Sequence, residues 1–305
     1  MAALTLHQAA DDFLASHPPR TAARYRFELR TFLTWCDMCH LSLWDVRRVH
    51  IESFGRWCID VRGISVSTAS NYVGTVCRLF RYAHDEGIIP ADPGRLVNRG
   101  GRRRYAAGNW LTASQLRTLL DAPAHPDVHA AICLTALSGL RIGEAIVLTV
   151  DDVTTVSEHV CVRLANRKYV PGGQLLALPP RTITAVTALT SKRTTGLLLR
   201  IPSHGGGPPI ARGERERRDI SRLRWELARL CVQHDLPRIT PHALRRTFIT
   251  LARDAGVSDR DIMASAGWTD PRMLTYYDRA SFAITRDAGT QLSTWLDSTD
   301  VGGAP

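Results

Sequence analysis

Apolar side chains recur every three to four residues over much of the N-terminal third of the chain, which is the spacing of one face of an α-helix. The first such face consists of Leu6, Ala10, Phe13 and Leu14. Thr5 precedes it as a candidate N-cap, and Pro18-Pro19 ends it. Similar stripes predict further helices from residue 21, over residues 45–61 and over residues 67–84. We therefore expect this part of the chain to be an all-helical domain.

This periodicity stops at a stretch rich in proline, glycine and arginine. Pro90-Ala-Asp-Pro93 is followed by Arg95 and then by Arg99-Gly-Gly-Arg102-Arg103-Arg104. Such a composition is typical of a hinge, because proline and glycine interrupt regular structure and clustered like charges extend the chain. We therefore predict a helical domain at residues 1–100, a basic linker at residues 101–108 and a second domain at residues 109–305.

The second domain has a mixed pattern. Helical spacing runs from Thr112 through Leu120 and again over residues 130–136. Residues 160–164 and 174–178 are short β-strand candidates on either side of a glycine-rich turn, which predicts a β-hairpin. A later helix is rich in arginine, with Arg215, Arg217, Arg218, Arg222 and Arg224. Three or four further helices complete a predicted fold that is mainly α with a small β-hairpin or sheet (α+β).

The composition is that of an ordinary globular protein, with 305 residues of which 44% are hydrophobic and 22% charged. Residues 130–140 form the longest apolar stretch, which is too short to span a bilayer, and the N-terminus lacks the pattern of a signal peptide. We therefore expect a cytoplasmic protein with no membrane partner. The 39 Lys and Arg residues exceed the 29 Asp and Glu residues, and the net charge of +10 favours a polyanionic partner such as nucleic acid.

Seven cysteines are scattered along the chain, and we expect them to be reduced thiols. Cys36-Asp-Met-Cys39-His40 matches the C-x-x-C-H form of haem attachment, but that chemistry needs an export route for which the sequence gives no signal. No second C-x-x-C follows to complete a zinc site. We therefore expect neither a metal ion nor a cofactor.

Three short motifs follow one another in the second domain. They are Ala136-Leu-Ser-Gly-Leu-Arg141-Ile-Gly-Glu144, Pro241-His242-Ala-Leu-Arg245-Arg-Thr-Phe248 and Ala266-Gly267-Trp268-Thr-Asp-Pro271. Each is weak by itself, but in this order, with Tyr277 nine residues after Trp268, they resemble the catalytic domain of the tyrosine recombinases, the phage integrase family. The first hundred residues resemble the helical core-binding domain of the same family, most clearly over the stretch from Thr68-Ala-Ser-Asn71 through Gly87-Ile-Ile-Pro-Ala-Asp-Pro93. The resemblance covers nearly the whole chain.

The resemblance implies an attack on DNA without metal or ATP. Arg141 and Arg245 would bind the non-bridging phosphate oxygens with planar, permanently charged guanidinium groups, and Glu144 would orient Arg141. His242 would add a further donor or help to handle the tyrosine proton. Tyr277 would attack the phosphorus, giving a 3′-phosphotyrosine and a free 5′-hydroxyl, and exchange would pass through a Holliday junction.

Three assignments within this site leave alternatives open. In the family a lysine on a β-hairpin protonates the leaving 5′-oxygen, and Lys168 lies in the predicted hairpin, whereas its neighbour Arg167 is a poor proton donor because its pKa exceeds about 12. Trp268 either donates its indole N–H to the phosphate or only packs against the tyrosine helix. Tyr276 competes with Tyr277, but adjacent helix positions point about 100° apart, and the spacing favours Tyr277.

The resemblance also implies a C-shaped clamp, in which the two domains close on opposite faces of a DNA duplex. The linker would contact phosphates through Arg99, Arg102, Arg103 and Arg104. The second and fourth helices would read the sequence through Thr21, Arg24, Thr68 and Asn71, the alternative being an ordinary solvated face. Strand exchange would need double-stranded DNA with inverted half-sites. It would also need a homotetramer that holds two duplexes, and a directionality factor could control excision. The apolar tail after Tyr277 would dock into a neighbouring protomer or fold back.

Several kinds of protein, inside and outside the tyrosine recombinase class, fit this sequence. The helices begin near residue 5, so we expect no additional N-terminal arm-binding domain. Trp268 and the atypical hairpin favour a compact phage or prophage integrase. A host recombinase that resolves chromosome dimers is the alternative. Three alternatives come from other classes of protein. A type IB topoisomerase would relax any duplex, and a decayed DNA-binding protein would lack active residues that this sequence retains. A metal-dependent nuclease would need clustered carboxylates.

Overall fold

The computed structural model describes residues 5–98, 109–165, 167, 172–202 and 211–275. The chain divides into two compact units, Met1–Ala106 and Ala107–Pro305. Both are mainly helical, and the second contains a three-stranded antiparallel sheet. The predicted fold class, mainly α with a small β element, is confirmed. Within the described ranges, no helix combines the length and apolar character needed to cross a membrane.

The first unit is built around its last helix. Its helices are α1 (Leu6–Ala15), α2 (Pro19–Met38), α3 (Arg48–Asp60) and α4 (Val66–Asp85). α4 packs against the other three, and the core contains the fully buried side chains of Leu29, Phe32, Ile51, Phe54, Leu79 and Phe80. A buried hydrogen bond from the Thr75 hydroxyl to the Glu28 carboxylate joins α4 to α2.

Local side-chain hydrogen bonds set the beginnings of these helices. Thr5 caps α1, because its hydroxyl accepts from the backbone N–H of Gln8 at 3.1 Å and the Gln8 side chain accepts from the backbone N–H of Thr5 at 2.9 Å. α3 begins at Arg48, later than the predicted start at residue 45. The Asp45 carboxylate instead accepts from the backbone N–H and the hydroxyl of Ser42, and this turn competes with the helix.

The second unit surrounds one central helix. Its helices are α5 (Ala113–Asp121), α6 (Pro126–Ala136), α7 (Ile142–Ala145), α8 (Pro180–Thr190), α9 (Arg212–Gln233), α10 (Pro241–Asp254), α11 (Asp259–Ala266) and α12 (Arg272–Thr275). α6 is buried on nearly all sides and packs against α8 and α10. Because the Arg141 motif follows α6 directly, the motif starts from a helix that is buried in the core of this unit.

The sheet has the strand order β1 (Val153–Val156), β2 (His159–Leu164) and β3 (Gln174–Ala177). β2 and β3 pair antiparallel with Leu164 opposite Gln174, so the predicted hairpin is present. β1, which pairs antiparallel with β2, was not predicted.

The cysteines carry no cross-links. None of the seven, all of which lie in the described ranges, forms a disulfide, and all but Cys39 are buried. Burial raises the pKa of Cys36 to about 12 and that of Cys133 to about 11. Both thiols are therefore protonated at neutral pH and poorly nucleophilic.

Candidate active site

Arg141 stands at the start of α7 and is held by a carboxylate one turn away. Glu144 accepts hydrogen bonds from the backbone N–H and from Nη1 of Arg141, both at 2.7 Å. The Arg141 side chain is 31% exposed, against 13% for Glu144. The carboxylate therefore fixes the guanidinium while part of the arginine stays accessible to a substrate.

Arg245 approaches the same carboxylate from α10. Its side chain is 2% exposed, and its Nη1 lies 3.9 Å from Oε2 of Glu144. Nη1 donates to the carbonyl of Gly139, and Nη2 donates to the carbonyl of Ala266. These bonds connect the loop before α7 to the end of α11 and fix the plane of the Arg245 guanidinium.

Arg167, just beyond β2, is a third arginine beside Glu144. Its side chain is 0% exposed, and its Nε lies 3.6 Å from Oε1 of Glu144, an ion-pair distance rather than a hydrogen bond. Burial lowers the pKa of the Arg167 guanidinium from its ordinary value, while Glu144 opposes the shift and Arg141 adds to it. Three guanidinium groups thus face one carboxylate. The excess positive charge suits a phosphate group.

His242 lies in the first turn of α10, exposed but beside a group of arginines. Partial desolvation of the ring and the positive charges of Arg246, Arg245 and Arg141 lower the pKa of His242 from its ordinary value of 6.5. The imidazole is therefore neutral at physiological pH, and it can accept a proton.

Trp268 packs against Arg245 at the end of α11. The Cζ of Arg245 lies 5.4 Å from the centre of the tryptophan ring, within the range of a cation–π contact. The ring also joins a small apolar cluster that includes Ile249, Ile262 and Leu274. Gly267, at φ 59°, makes the left-handed turn that ends α11 and leads into Trp268.

The structure therefore brings four predicted catalytic residues into one place: Arg141, His242, Arg245 and Trp268. The other predicted members, Lys168 and Tyr277 with its competitor Tyr276, lie outside the described residues. Across the described ranges, no three His, Cys, Asp or Glu side chains gather closely enough to hold a metal ion. The chemistry that this cluster offers is the binding of an oxyanion by permanently charged donors next to a neutral imidazole.

The predicted DNA-reading residues occupy two helices of the first unit. Thr21 and Arg24 lie on α2, while Thr68 and Asn71 lie on α4. Arg24 and Asn71 are exposed, and the two threonines are half-buried. The predicted phosphate contacts Arg99, Arg102, Arg103 and Arg104 lie outside the described residues.

Sequence reasoning missed the structural role of Arg167, which it considered only as a rival proton donor. The Arg167 guanidinium donates to the side chain of Gln174 and to the backbone carbonyls of Ala264 and Ser265. The two carbonyls lie 97 and 98 positions away in the sequence. No local pattern could have indicated contacts over such a separation.

Comparisons with known proteins match this chain to one family. The profile that describes the phage integrase family matches residues 109–283. Tyrosine recombinase XerD of Corynebacterium glutamicum is 25% identical over 264 residues, which cover 81% of this chain and 83% of the relative. Tyrosine recombinase XerC of Roseiflexus sp. is 27% identical over 295 residues, which cover 91% of this chain and 88% of the relative.

Two solved structures share the fold. The Tn1549 transposon integrase in complex with transposon right end DNA has a TM-score of 0.68 at 18% identity, covering 95% of this chain and 100% of that one. The XerH site-specific recombinase bound to palindromic difH substrate has a TM-score of 0.66 at 16% identity, covering 87% and 78%.

The fold, the arginine cluster and these relatives define a site-specific recombinase of the tyrosine recombinase class. The chain belongs to the phage integrase family, whose profile spans more than half of its length. The predicted family, enzyme class and function as a site-specific recombinase are confirmed.

Proposed function

We propose that this recombinase cuts and rejoins double-stranded DNA through a 3′-phosphotyrosine formed by Tyr277. The tyrosine oxygen attacks the scissile phosphorus, the bond from phosphorus to the 5′-oxygen breaks, and Lys168 gives its proton to that oxygen. His242 takes the proton that the tyrosine loses. Attack by the 5′-hydroxyl of a second duplex reverses these steps and generates a Holliday junction. The phosphotyrosine bond conserves the energy of the phosphodiester, so the reaction needs no ATP.

The observation that carries this proposal is the arginine cluster around Glu144. The transition state of the attack is a five-coordinate phosphorane with more negative charge than the ground state. Arg141 and Arg245, held within 4 Å of one carboxylate, supply fixed positive charge where that negative charge develops. Such donors typically stabilise a transition state by roughly 3–4 kcal/mol each. The neutral imidazole of His242 beside them provides a proton acceptor.

A nicked suicide duplex tests the chemistry directly. The recombinase is incubated in chelator with duplexes made from genomic fragments that it selects, and the products are separated on a denaturing gel. A covalent protein–DNA adduct that Tyr277→Phe abolishes and Tyr276→Phe retains is the expected result. If the chain binds its site tightly but forms no adduct, it is a DNA-binding protein rather than an active recombinase.

The proposed substrate is a bacterial DNA site with two inverted half-sites, bound in the cytoplasm. The net charge of +10 and the DNA complexes of the Tn1549 integrase and XerH support DNA binding. This proposal includes the predicted division of the chain into a helical domain at residues 1–100, a basic linker at residues 101–108 and a catalytic domain at residues 109–305. Arg99, Arg102, Arg103 and Arg104 contact phosphates, whereas Thr21, Arg24, Thr68 and Asn71 contact base edges.

These two kinds of contact differ in their salt dependence, which provides a test. Replacing the linker arginines should weaken binding to all sequences and lower the slope of affinity against salt concentration. Asn71→Ala should relax the preference for one site and leave that slope unchanged. Exchange between two sites further requires a homotetramer, which analytical ultracentrifugation of the synaptic complex would detect.

The curated relatives favour a second candidate within the same class. XerD and XerC proteins match most of this chain, so a host recombinase that resolves chromosome dimers competes with a phage or prophage integrase. Sequencing the genomic fragments that the protein selects distinguishes the two. A single chromosomal site that needs no incoming phage DNA supports the host role. Paired phage and bacterial attachment sites support integration, and only this role calls for a directionality factor.

A further inference from the structure

An exposed aromatic ring stands on α2 in the first unit. Phe27 is 64% exposed, although the next two residues of the helix, Glu28 and Leu29, are buried. Its ring contacts the ring of Tyr72 on α4 edge to face, with 6.3 Å between the ring centres and 86° between the ring planes. Single apolar side chains are common on protein surfaces, so the surroundings of this ring decide what it can bind.

Arginines surround the ring on its own helix. Arg20, Arg24 and Arg30 lie seven residues before it, three before it and three after it, so helix geometry places them on the same face. All three are exposed. Between Arg20 and Arg30, a stretch that the structure describes throughout, the one carboxylate is that of Glu28, which is buried. The exposed face of α2 around Phe27 is therefore positively charged.

α4 extends the same surface. Asn71, next to Tyr72, is exposed, and the exposed Arg78 follows two turns later. The Cζ atoms of Arg24 and Arg78 lie 4.8 and 5.8 Å from the centre of the Tyr25 ring, so arginines of both helices flank one aromatic ring. α4, which is described in full, carries no carboxylate before its last residue. The surface shared by the two helices thus combines an apolar ring with cations and an amide.

The two helices are fixed to each other beneath this surface. The Thr75 hydroxyl donates to the buried Glu28 carboxylate, within one turn of the contact between Phe27 and Tyr72. A phenylalanine side chain has two torsions, and an edge contact with a neighbouring ring restricts them further. Since few rotamers remain to be lost, binding through this ring costs little conformational entropy.

DNA is the ligand whose chemistry matches this combination. Arginines bind phosphate oxygens, asparagine binds base edges, and the C5-methyl group of thymine is the apolar group that the major groove presents to side chains such as phenylalanine. We infer that Phe27 is a specificity-determining residue that contacts the C5-methyl group of a thymine in each half-site. This inference rests on the proposed DNA substrate. It adds an apolar contact to the polar ones proposed for Arg24 and Asn71.

A second copy of the chain is the competing occupant of this surface. A symmetric contact through Phe27 would bring the arginines of the two copies against one another, with no exposed carboxylate on this face of α2 to balance them. The centres of protein interfaces are also depleted in charged residues. The charge around the ring therefore favours a polyanion over a second copy.

Replacing thymidine by deoxyuridine isolates the contact, because the two nucleosides differ in the methyl group alone. The probe is a duplex made from a genomic fragment that the protein selects, prepared with one half-site and with two, and each thymine is replaced in turn. Fluorescence anisotropy measures affinity. At one position in the half-site, deoxyuridine should weaken binding by the parent about fourfold, the factor expected for one buried carbon. Phe27→Ala should weaken binding of the thymine duplex about fivefold and should bind both duplexes equally.

Two further variants serve as comparisons. Phe27→Leu keeps an apolar side chain, so it should still prefer thymine at that position by about twofold. Trp44→Ala removes another exposed ring of the first unit, one that lies outside α2 and α4, and it should bind both duplexes as the parent does. Since Phe27 is exposed, the thermal unfolding of Phe27→Ala should match that of the parent.

Each contrary outcome counts against a specific claim. If no thymine position responds to loss of the methyl group, or if Phe27→Ala responds as strongly as the parent, the inference is wrong and DNA binding stands. If Phe27→Ala loses affinity only for the duplex with two half-sites, the ring contacts the second copy, and the inference is again wrong. If the chain selects no duplex at all, the proposed function fails together with it.

Discussion

Gly139 lies directly against the ring of Phe248. A Cβ built on Gly139 would be 2.6 Å from Cε1 of Phe248, and the backbone has a positive φ of 68° at this position. The carbonyl of the same glycine accepts the hydrogen bond from Nη1 of Arg245. A contact between a loop and an aromatic ring therefore helps to set the position of Arg245.

Gly139→Ala is expected to lower the free energy of unfolding by roughly 2–4 kcal/mol, because it combines backbone strain with overpacking against Phe248. Urea denaturation measures this change, and single-turnover cleavage should slow in parallel. Gly143→Ala is the matched control, since an added Cβ there meets nothing within 4 Å. Similar losses of stability in the two variants would contradict the contact.

Glu144→Gln should separate DNA binding from DNA cleavage. It keeps the shape of the side chain but removes the charge that Arg141 contacts at 2.7 Å and that Arg167 and Arg245 approach within 4 Å. Partners that orient metal ligands typically contribute about 10–100-fold to activity, and we expect a carboxylate that orients arginines to contribute to a similar degree. We expect the cleavage rate to fall by that factor while DNA affinity, measured by fluorescence anisotropy, stays equal or rises. Glu226→Gln breaks a pair of the same i,i+3 spacing, Arg229 with Glu226 at 2.9 Å, and should leave cleavage unchanged.

The titration of His242 should occur below pH 6.5, because partial desolvation and three arginines lower its pKa. The unfolded chain then takes up this proton first as the pH falls. The stability contributed by His242 is therefore complete above pH 6.5 and is lost as the pH falls through the folded-state pKa. Cleavage should decline over the same range. Arg246→Gln should move the midpoint, followed by NMR of the imidazole, back toward 6.5, whereas Arg229→Gln, which removes none of the three charges that lower this pKa, should not.

Asp127 should contribute to the acid sensitivity of the second unit. It is 1% exposed, and it accepts two hydrogen bonds from Arg193, at 2.7 and 2.8 Å, and one from the backbone N–H of Arg200. Burial alone would raise the pKa of Asp127, but these donors outweigh it and lower the pKa below 3.8. Stability from this pair is therefore complete above pH 3.8 and is lost as the pH falls through the lowered value.

The corresponding variant is Asp127→Asn, which leaves Arg193 partly buried without its carboxylate. We expect it to lower the free energy of unfolding at pH 7 by about 3 kcal/mol. Asp121→Asn is the control, because its pair with Arg181 is exposed on both sides and is worth at most about 1 kcal/mol. Equal effects of the two variants in thermal and urea unfolding would show that the buried pair has no special weight.

Local signals predicted the fold well wherever the structure depends on neighbours in the sequence. Thr5 caps α1 because its partner is three residues away, and the β2–β3 hairpin follows from the glycine-rich turn between two apolar runs. β1 was missed because Val153–Val156 is only four residues long and has no apolar–polar alternation, although valine and threonine both favour strands. Its place in the sheet depends on pairing with β2.

Within the site, the ordered motifs predicted Arg141, His242, Arg245 and Trp268 as neighbours, and the described structure has them together. Motif matching could not supply the manner in which each side chain is held. Arg245 is held by carbonyls of Gly139 and Ala266. Backbone acceptors have no signature in the identity of the residue that carries them, so these contacts become visible only in three dimensions.

Gly267 is a position at which almost every substitution is expected to damage the recombinase. Every amino acid that a single-base change can introduce at a glycine codon carries a Cβ, and a Cβ here would strike the guanidinium of Arg167. At Gly143 the same change meets open space. In a random mutant library, we therefore expect position 267 to tolerate almost nothing and position 143 to tolerate much. A gene copy released from selection is then expected to lose catalysis early through this codon, while its N-terminal unit still folds.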